Sequence, residues 1–302
     1  MRWLVLLVAP CLALTAVLAQ PPVREPVREG NTERLMLDDG LDTDAAVWAP
    51  AEAVLTVDPK HARHGPTSLR LHIDVNWETG EKNYPIGWPR MYRDWPQEQR
   101  DWTRYDYLDF SIFTETSRPK LPDNPLGLIV KGEQGRKVVT RELTELRPGE
   151  WTDYRLPLAG TPDLGTITGV GFYISESNYK HGDVLDFWID NISLVRVAEP
   201  TAAGTVLLEK VIIGDAGYLP LDLNVMGVAP EAKADLVWQL RTGGNSAATG
   251  KLSAGRGLTR MYLPLPPGGL KPGDYELALK AGSETLAFPL KVVRSAWQEA
   301  SK

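Results

Sequence analysis

The fold is decided by SLRLHIDV, residues 68–75, in which apolar and polar side chains alternate without a break. Successive side chains of a β-strand point to opposite faces of the sheet, so the apolar set shares one face and Arg70, His72 and Asp74 share the other. A helix would need apolar residues at a spacing near 3.6 instead. The stretch therefore predicts a strand with one face in a core and the other near solvent.

Comparable short strands are predicted on both sides of this stretch, and Gly- and Pro-containing turns separate them. The predicted strands cover residues 33–39, 54–58, 107–113, 126–131, 137–141, 151–158, 167–174 and 184–197. About nine such strands at this spacing favour a jelly-roll β-sandwich over residues 33–197. The 27 Gly and 24 Pro of the chain suit an all-β protein with many turns.

A second all-β unit is predicted for residues 205–295, after a linker at 198–204 (AEPTAAG). About seven short strands in this length match an immunoglobulin-like β-sandwich. The unit lacks the paired cysteines of antibody domains, and Trp238 lies mid-strand as a core residue would. The predicted fold class is therefore all-β, a jelly-roll β-sandwich followed by an Ig-like β-sandwich.

The first residues predict export. Residues 1–19 combine Arg2, an apolar run and Val17-Leu18-Ala19, which is typical of a signal peptide cleaved after Ala19. Residues 20–32 contain Pro-Val-Arg-Glu twice and predict a disordered tether. No integral membrane segment is expected in the mature chain, so a secreted, periplasmic or cell-surface location follows.

The charge argues against a nucleic-acid partner. The formal net charge is −6, and both signs are spread along the chain without a basic tract. The only cysteine, Cys11, lies within the predicted signal peptide, so the mature protein is expected to fold without disulfides.

Residues 76–107 form an insert of alternating aromatic and basic side chains, too long for a hairpin turn. Pro85, Pro89 and Pro96 exclude a continuous helix. Aromatic rings stack on apolar faces and arginines bind hydroxyls or carboxylates, so a ligand-binding surface is predicted. The predicted contacts are Trp88, Arg90, Tyr92 and Trp95, then Trp77 and Tyr84, with a second loop at Glu176, Asn178 and Tyr179. The alternative is that the tryptophans fold inward and cap the end of the sandwich.

Five motifs in residues 33–197 occur in the order found in one family of modules. They are LMLDDG followed by Trp48, HGPTSLRL (64–71), YDYLDF (105–110), GEWTDY (149–154) and DFWIDNISL (186–194). The region resembles the jelly-roll carbohydrate-binding modules of the galactose-binding-like superfamily. The resemblance implies a β-sandwich that binds glycans, whereas the long aromatic insert departs from a generic module and leaves the ligand open.

The resemblance also implies a structural calcium ion between the first and last strands. The ligands would be Asp38 or Asp39 together with Asp190, and a backbone carbonyl near Gly65. In a regular strand Asp190 would share the face of Ile192 and Leu194, where an ionised carboxylate needs a partner. The alternative is that Asp190 pairs with an arginine or caps a turn.

The sequence contains no nucleophile-elbow, metalloprotease or phosphate-loop motif. We therefore expect a secreted, non-catalytic protein that binds a polysaccharide or other glycan. Two alternatives stay open at this point. One is a structural module of the cell envelope with a protein partner, and the other is a polysaccharide lyase or hydrolase, for example a lyase that uses Tyr and Arg of the insert.

Overall fold

The computed structural model describes residues 24–41, 45–78 and 87–294. Their regular structure is β-strand, interrupted only by short helical turns, so the all-β prediction is confirmed. Within this part of the chain no helix is long and apolar enough to cross a membrane. The predicted signal peptide, residues 1–19, lies outside the described residues.

Twelve strands build the first half of the chain. They are β1 (Val27–Glu29), β2 (Thr32–Asp38), β3 (Trp48–Ala51), β4 (Val54–Asp58), β5 (Ser68–Asp74), β6 (Arg90–Asp94), β7 (Tyr107–Thr116), β8 (Gly127–Gly132), β9 (Lys137–Glu142), β10 (Trp151–Pro157), β11 (Ile167–Tyr173) and β12 (Val184–Val197). Because β1 pairs with β2, the predicted disordered tether contains an ordered strand at Val27–Glu29.

These strands form two antiparallel sheets that enclose one core, as a jelly-roll sandwich requires. The larger sheet is centred on β12, which pairs with β7 along one edge and with β5 and then β2 along the other. The smaller sheet has the order β3-β6-β11-β8-β9. The predicted alternation in β5 is confirmed, since Leu69, Leu71 and Ile73 are fully buried in the core between the sheets.

A β-bulge in β12 reverses which residues face the core. Up to Ile189 the odd-numbered residues belong to the core, and from Ile192 the even-numbered residues do. The pairing with β7 shifts between Asp190 and Ser193, and Asn191 between them has a φ of 56°. The expectation that Asp190 shares a face with Ile192 is therefore wrong, because an extra residue in one strand rotates the next side chains to the other face.

A buried ion pair joins the two sheets. Arg93 on β6 points into the sandwich, where its Nη1 atom lies 3.2 Å from Oδ2 of Asp38, the last residue of β2. The same nitrogen donates to the carbonyl of Leu37 at 2.9 Å. The side chains of Arg93 and Asp38 are 1% and 0% exposed, respectively. The indole N–H of Trp48 on β3 also donates to Asp38, so two residues of the smaller sheet hold this carboxylate of the larger sheet.

The second half contains eight strands, one more than predicted. They are β13 (Val206–Leu207), β14 (Val211–Ile213), β15 (Tyr218–Val225), β16 (Lys233–Thr242), β17 (Asn245–Gly255), β18 (Gly257–Pro264), β19 (Gly273–Ala281) and β20 (Glu284–Val293). They form sheets of order β13-β15-β18 and β14-β20-β19-β16-β17, with β14 parallel to β20. Trp238 is buried in their shared core, as predicted. The Ig-like topology stays a prediction.

The two halves have separate cores but contact each other. One core lies within residues 37–194 and the other within residues 202–292. Between them, Nε of Arg256 lies 2.9 Å from Oδ1 of Asp106, and both side chains are buried. Gly160 and Gly257 also approach closely enough that a Cβ on Gly257 would lie 2.8 Å from the Gly160 Cα. The division at residues 198–204 into independent domains stays a prediction.

The substitution Arg93→Met should destabilise the protein strongly, because it leaves the carboxylate of Asp38 buried without its cation. Removing one partner of a buried pair costs about 3–5 kcal/mol. Denaturant unfolding of the full chain measures this loss. The matched control is Arg90→Met, three residues earlier on the same strand but exposed, which should change stability by less than about 0.5 kcal/mol. Equal stabilities of the two variants would contradict the structural role of Arg93.

Candidate functional site

A groove of about 470 Å³ runs over the outer face of the smaller sheet. It lies on the side of the sheet that faces away from the core. This volume is within the range of small-ligand sites. The lining residues are Ala49, Pro50, Ala51, Trp88, Arg90, Met91, Tyr92, Ile129, Lys131, Lys137, Gly171, Phe172 and Tyr173.

The ring of Tyr173 lies on Gly127, its direct cross-strand partner in β8. A Cβ atom added to Gly127 would lie 2.4, 2.7 and 2.8 Å from ring atoms Cζ, Cε1 and Cε2 of Tyr173. Three nearly equal distances mean that the face of the ring, rather than its edge, covers the glycine. The phenol of Tyr173 donates to Oε1 of Glu142 at 3.3 Å. Tyr173 therefore forms part of the groove floor only because β8 has no side chain beneath it.

Tyr92 extends across two further glycines in the same way. A Cβ on Gly171 would lie 2.6 Å from Cδ2 of Tyr92, and a Cβ on Gly169 would lie 2.3 Å from its hydroxyl oxygen. Burial, followed by the charge of Asp94, raises the pKa of Tyr92 to about 12. Burial also raises the pKa of Tyr173. Both phenols are therefore neutral at physiological pH, and that of Tyr173 donates its proton to Glu142.

Trp88 forms one wall of the groove and is 54% exposed. Its ring meets that of Tyr173 in a T-shaped contact, with centroids 5.6 Å apart. Its backbone N–H donates to Oε2 of Glu52 at 2.6 Å, and its carbonyl accepts from Nη1 of Arg90 at 3.1 Å. These bonds hold the backbone of Trp88, whose exposed indole lines the groove.

Three cations, Arg90, Lys131 and Lys137, line the groove. The ammonium of Lys131 lies 4.3 Å from the ring centroid of Tyr92, a cation–π contact worth about 0.5–1 kcal/mol at an exposed site. Lys131 and Lys137 are cross-strand partners on β8 and β9. The groove thus combines an aromatic floor with positive charge.

No family model and no curated protein matches the chain. Among solved structures, it is similar to a β-1,2-glucanase from Parabacteroides distasonis, with a TM-score of 0.37 and 12% identity over 88% of this chain and 37% of that one. It is also similar to CBM27-1 of Caldicellulosiruptor saccharolyticus in complex with mannohexaose, with a TM-score of 0.34 and 14% identity over 52% of this chain and 96% of that one. A third similar structure is the CBM22-1-CBM22-2 tandem domain of Paenibacillus barcinonensis Xyn10C, with a TM-score of 0.32 and 9% identity over 86% of this chain and 90% of that one. These values place the chain in no family.

The structure brings three of the predicted contact residues, Trp88, Arg90 and Tyr92, into this groove. It places Trp95 elsewhere: that side chain is 2% exposed and packs against Trp102, with the Arg93 guanidinium 4.2 Å from its ring centroid. The expectation of Trp95 as a ligand contact is therefore corrected. The reason is strand periodicity, since Arg93 and Trp95 face inward while Arg90 and Tyr92 face outward. The alternative, in which tryptophans of the insert fold inward, holds for Trp95 and Trp102, whereas a ligand surface at Trp88, Arg90 and Tyr92 stays a prediction.

Two residues of the second predicted loop, Glu176 and Tyr179, have structural contacts. Glu176 is buried, and its carboxylate accepts from the backbone N–H groups of Asn76 at 3.1 Å and Gly87 at 2.8 Å. It therefore connects two points on either side of residues 77–86. Tyr179 is buried and donates to the carbonyl of Pro125, so its assignment as a ligand contact is also corrected.

The remaining predicted contacts lie outside the groove lining. Trp77 is 42% exposed and donates from Nε1 to the carbonyl of Glu176 at 3.3 Å. Asn178 is exposed and donates from Nδ2 to the carbonyl of Asn124 at 3.0 Å. Tyr84 lies outside the described residues. These positions stay predictions as ligand contacts.

Sequence reasoning missed Tyr173 and the two groove lysines. The signal was present in the predicted strand at residues 167–174, where Gly169, Gly171 and Tyr173 alternate with the apolar residues Val170 and Phe172. Small residues on the outer face of a strand indicate that another side chain lies across the backbone. The predicted strand at residues 126–131 carries the matching outward set, which ends in Lys131.

The carboxylates predicted to bind calcium are engaged by protein donors. Asp190 accepts from the backbone N–H groups of Arg63 at 2.7 Å and His64 at 2.8 Å, and also from its neighbour Asn191. Burial raises the pKa of Asp190, and these bonds act in the opposite direction. Asp38 pairs with Arg93, as described above, and Asp39 is half-buried. Among the described residues no group of three or more His, Cys, Asp or Glu is arranged to hold a metal, and the calcium site stays a prediction.

We expect the substitution Asp190→Ala to lower stability by about 1–3 kcal/mol, because the backbone N–H groups that it accepts from lose a buried acceptor. Thermal melts with EDTA and with added calcium measure the effect. If Asp190 acts by holding the turn at residues 63–64, the variant loses the same amount of stability in EDTA as in added calcium. The calcium prediction would instead require that EDTA lowers the melting temperature of the wild type and has no further effect on the variant.

Proposed function

We propose that the protein is a non-catalytic carbohydrate-binding protein that holds a polysaccharide in the groove over β3, β6, β11, β8 and β9. The observation that carries this proposal is the aromatic floor. The face of Tyr173 lies on Gly127, and Tyr92 lies across Gly169 and Gly171, so both rings follow the surface of the sheet. Export to the cell surface or medium is part of the proposal and is supported by the signal-like residues 1–19.

An aromatic floor suits the apolar faces of sugar rings. Pyranose rings present C–H bonds on their faces and hydroxyls at their edges, so they combine stacking with lateral hydrogen bonds. Aromatic side chains supply large apolar contact area at low conformational cost, and Tyr retains a polar hydroxyl. In this groove Trp88 adds a wall, while Arg90 and Lys131 supply donors at the side. The shape is concave, which suits a sugar chain better than the convex surface expected for a protein partner.

The acidic groups near Trp88 have structural contacts, which supports a role in binding rather than catalysis. Oε2 of Glu52 accepts from the N–H of Trp88, and Oε2 of Glu176 accepts from the N–H of Gly87. Glycosidases use a pair of carboxylates that donate a proton to, or attack, the substrate. Here both carboxylates instead hold the backbone that positions the groove wall. A lyase or hydrolase would be detected by reducing ends or by ultraviolet absorbance of the products.

Tyr173→Ala should weaken polysaccharide binding by about 1–3 kcal/mol, because stacked aromatic residues are typical binding hot spots. Gly127→Ala should weaken it comparably, since the new methyl group occupies the space of the Tyr173 ring. Affinity electrophoresis through gels that contain plant, algal or bacterial polysaccharides measures the effect. Denaturant unfolding in parallel shows that both variants fold.

The matched control is Tyr262→Ala, which removes an exposed tyrosine from β18 in the second half of the chain. It should leave retardation in the gels unchanged. Two results would overturn the proposal: no retardation of the wild type by any polysaccharide, or equal retardation of wild type and Tyr173→Ala. Release of sugar products by the wild type would contradict the non-catalytic part alone.

A further inference from the structure

The charge of the groove differs from that of the whole protein. The chain carries a formal net charge of −6, yet the charged residues that line the groove are Arg90, Lys131 and Lys137. Among the residues that the structure describes, the acidic side chains near the groove lie at its borders. Asp94 is exposed beyond Tyr92 on β6, Glu142 accepts from Tyr173, and Glu52 accepts from the backbone of Trp88. A local field opposite in sign to the net charge indicates the charge of the ligand.

The cations of the groove also differ from those on the other side of the sandwich. On the larger sheet, Arg34 and Arg155 both pair with Asp109. Arg63 pairs with Asp153 at 2.7 Å. In the groove, by contrast, none of the three cations Arg90, Lys131 and Lys137 forms an ion pair with any residue of 24–41, 45–78 or 87–294. Their charges are available to a ligand within the described structure.

Two of these cations are placed directly opposite each other. Lys131 on β8 is the cross-strand partner of Lys137 on β9. Like charges at directly opposed positions of a sheet repel and destabilise the pair of strands. An anion bound between the two lysine side chains would remove this repulsion. The position of Lys131, 4.3 Å from the ring centroid of Tyr92, places its ammonium beside the aromatic floor where a sugar would stack.

We propose that the polysaccharide bound in this groove is anionic, carrying carboxylate or sulfate groups that pair with Lys131, Lys137 and Arg90. This inference rests on the proposed function and specifies its ligand class. The sugar rings stack on the floor formed by Tyr92 and Tyr173, and the acidic substituent points toward β8 and β9. Lys131 exchanges its weak contact with the Tyr92 ring for an ion pair.

The experiment compares each acidic polymer with a derivative whose anionic group is neutralised or removed. The probes are polygalacturonate and its methyl ester, alginate and its carboxyl-reduced form, and carrageenan and its desulfated form. Affinity electrophoresis of the full chain in 20 mM and 300 mM salt gives the dissociation constants. We expect at least one acidic polymer to bind more tightly than its neutral counterpart, and the preference to shrink at the higher salt because exposed charges are screened. The carboxylate and sulfate pairs show which anion is preferred.

Charge-removing variants test which residues are responsible. Lys131→Gln and Lys137→Gln should each weaken binding of the acidic polymer roughly two- to fivefold, as expected for exposed ion pairs, and should weaken binding of the neutral form less. The matched control is Lys280→Gln, which removes an exposed lysine from β19 and should change the binding of neither the acidic nor the neutral polymer.

Equal binding of the charged and neutral forms by the wild type would overturn the inference while leaving the proposed function standing. Lysine variants that bind the acidic polymer as the wild type does would also overturn it. Failure of every polymer, charged or neutral, to bind would overturn the proposed function, and this inference with it.

Discussion

The ion pair between Arg93 and Asp38 fixes which residues of β6 face outward. A guanidinium buried between two sheets has to meet its carboxylate, so β6 cannot slip by one residue without leaving both charges unpaired. Because side chains alternate, Met91, Arg93 and Trp95 then point into the core, and Arg90 and Tyr92 point to the groove. The outward set of β6 that lines the groove thus depends on a contact on the opposite face of the same strand.

The extent to which the sequence predicts the fold differs between its strands. The alternation of residues 68–75 predicts β5 and its inward face correctly, because each residue follows the period of two. The same reasoning fails in β12, where the bulge at Asn191 moves Asp190 away from the face of Ile192. No residue type in DFWIDNISL requires that bulge. The register shift depends on the pairing with β7 and β2, which are distant in sequence.

The groove was predicted in part. The run of aromatic and basic residues indicates a ligand surface, and the structure places Trp88, Arg90 and Tyr92 there. It could not indicate that Trp95 turns inward, since a Trp on either face fits the composition. Tyr173, Gly127 and Lys131 were missed because they come from β11 and β8, and the order β6-β11-β8 exists only in the folded sheet. The glycines are as informative as the aromatic residues, since they leave the space that the tyrosine rings occupy.

In the proposed complex, sugar rings lie on Tyr92 and Tyr173 over the β6, β11 and β8 backbone. A crystal structure of the protein with an oligosaccharide of the preferred polymer tests this placement. Sugar density is expected in the groove, stacked on Tyr173 beside Trp88 and within hydrogen-bonding distance of Arg90 or Lys131. Ordered sugar on any other surface, such as the polar face around Asp109 and Asp153, with the groove empty, would contradict it.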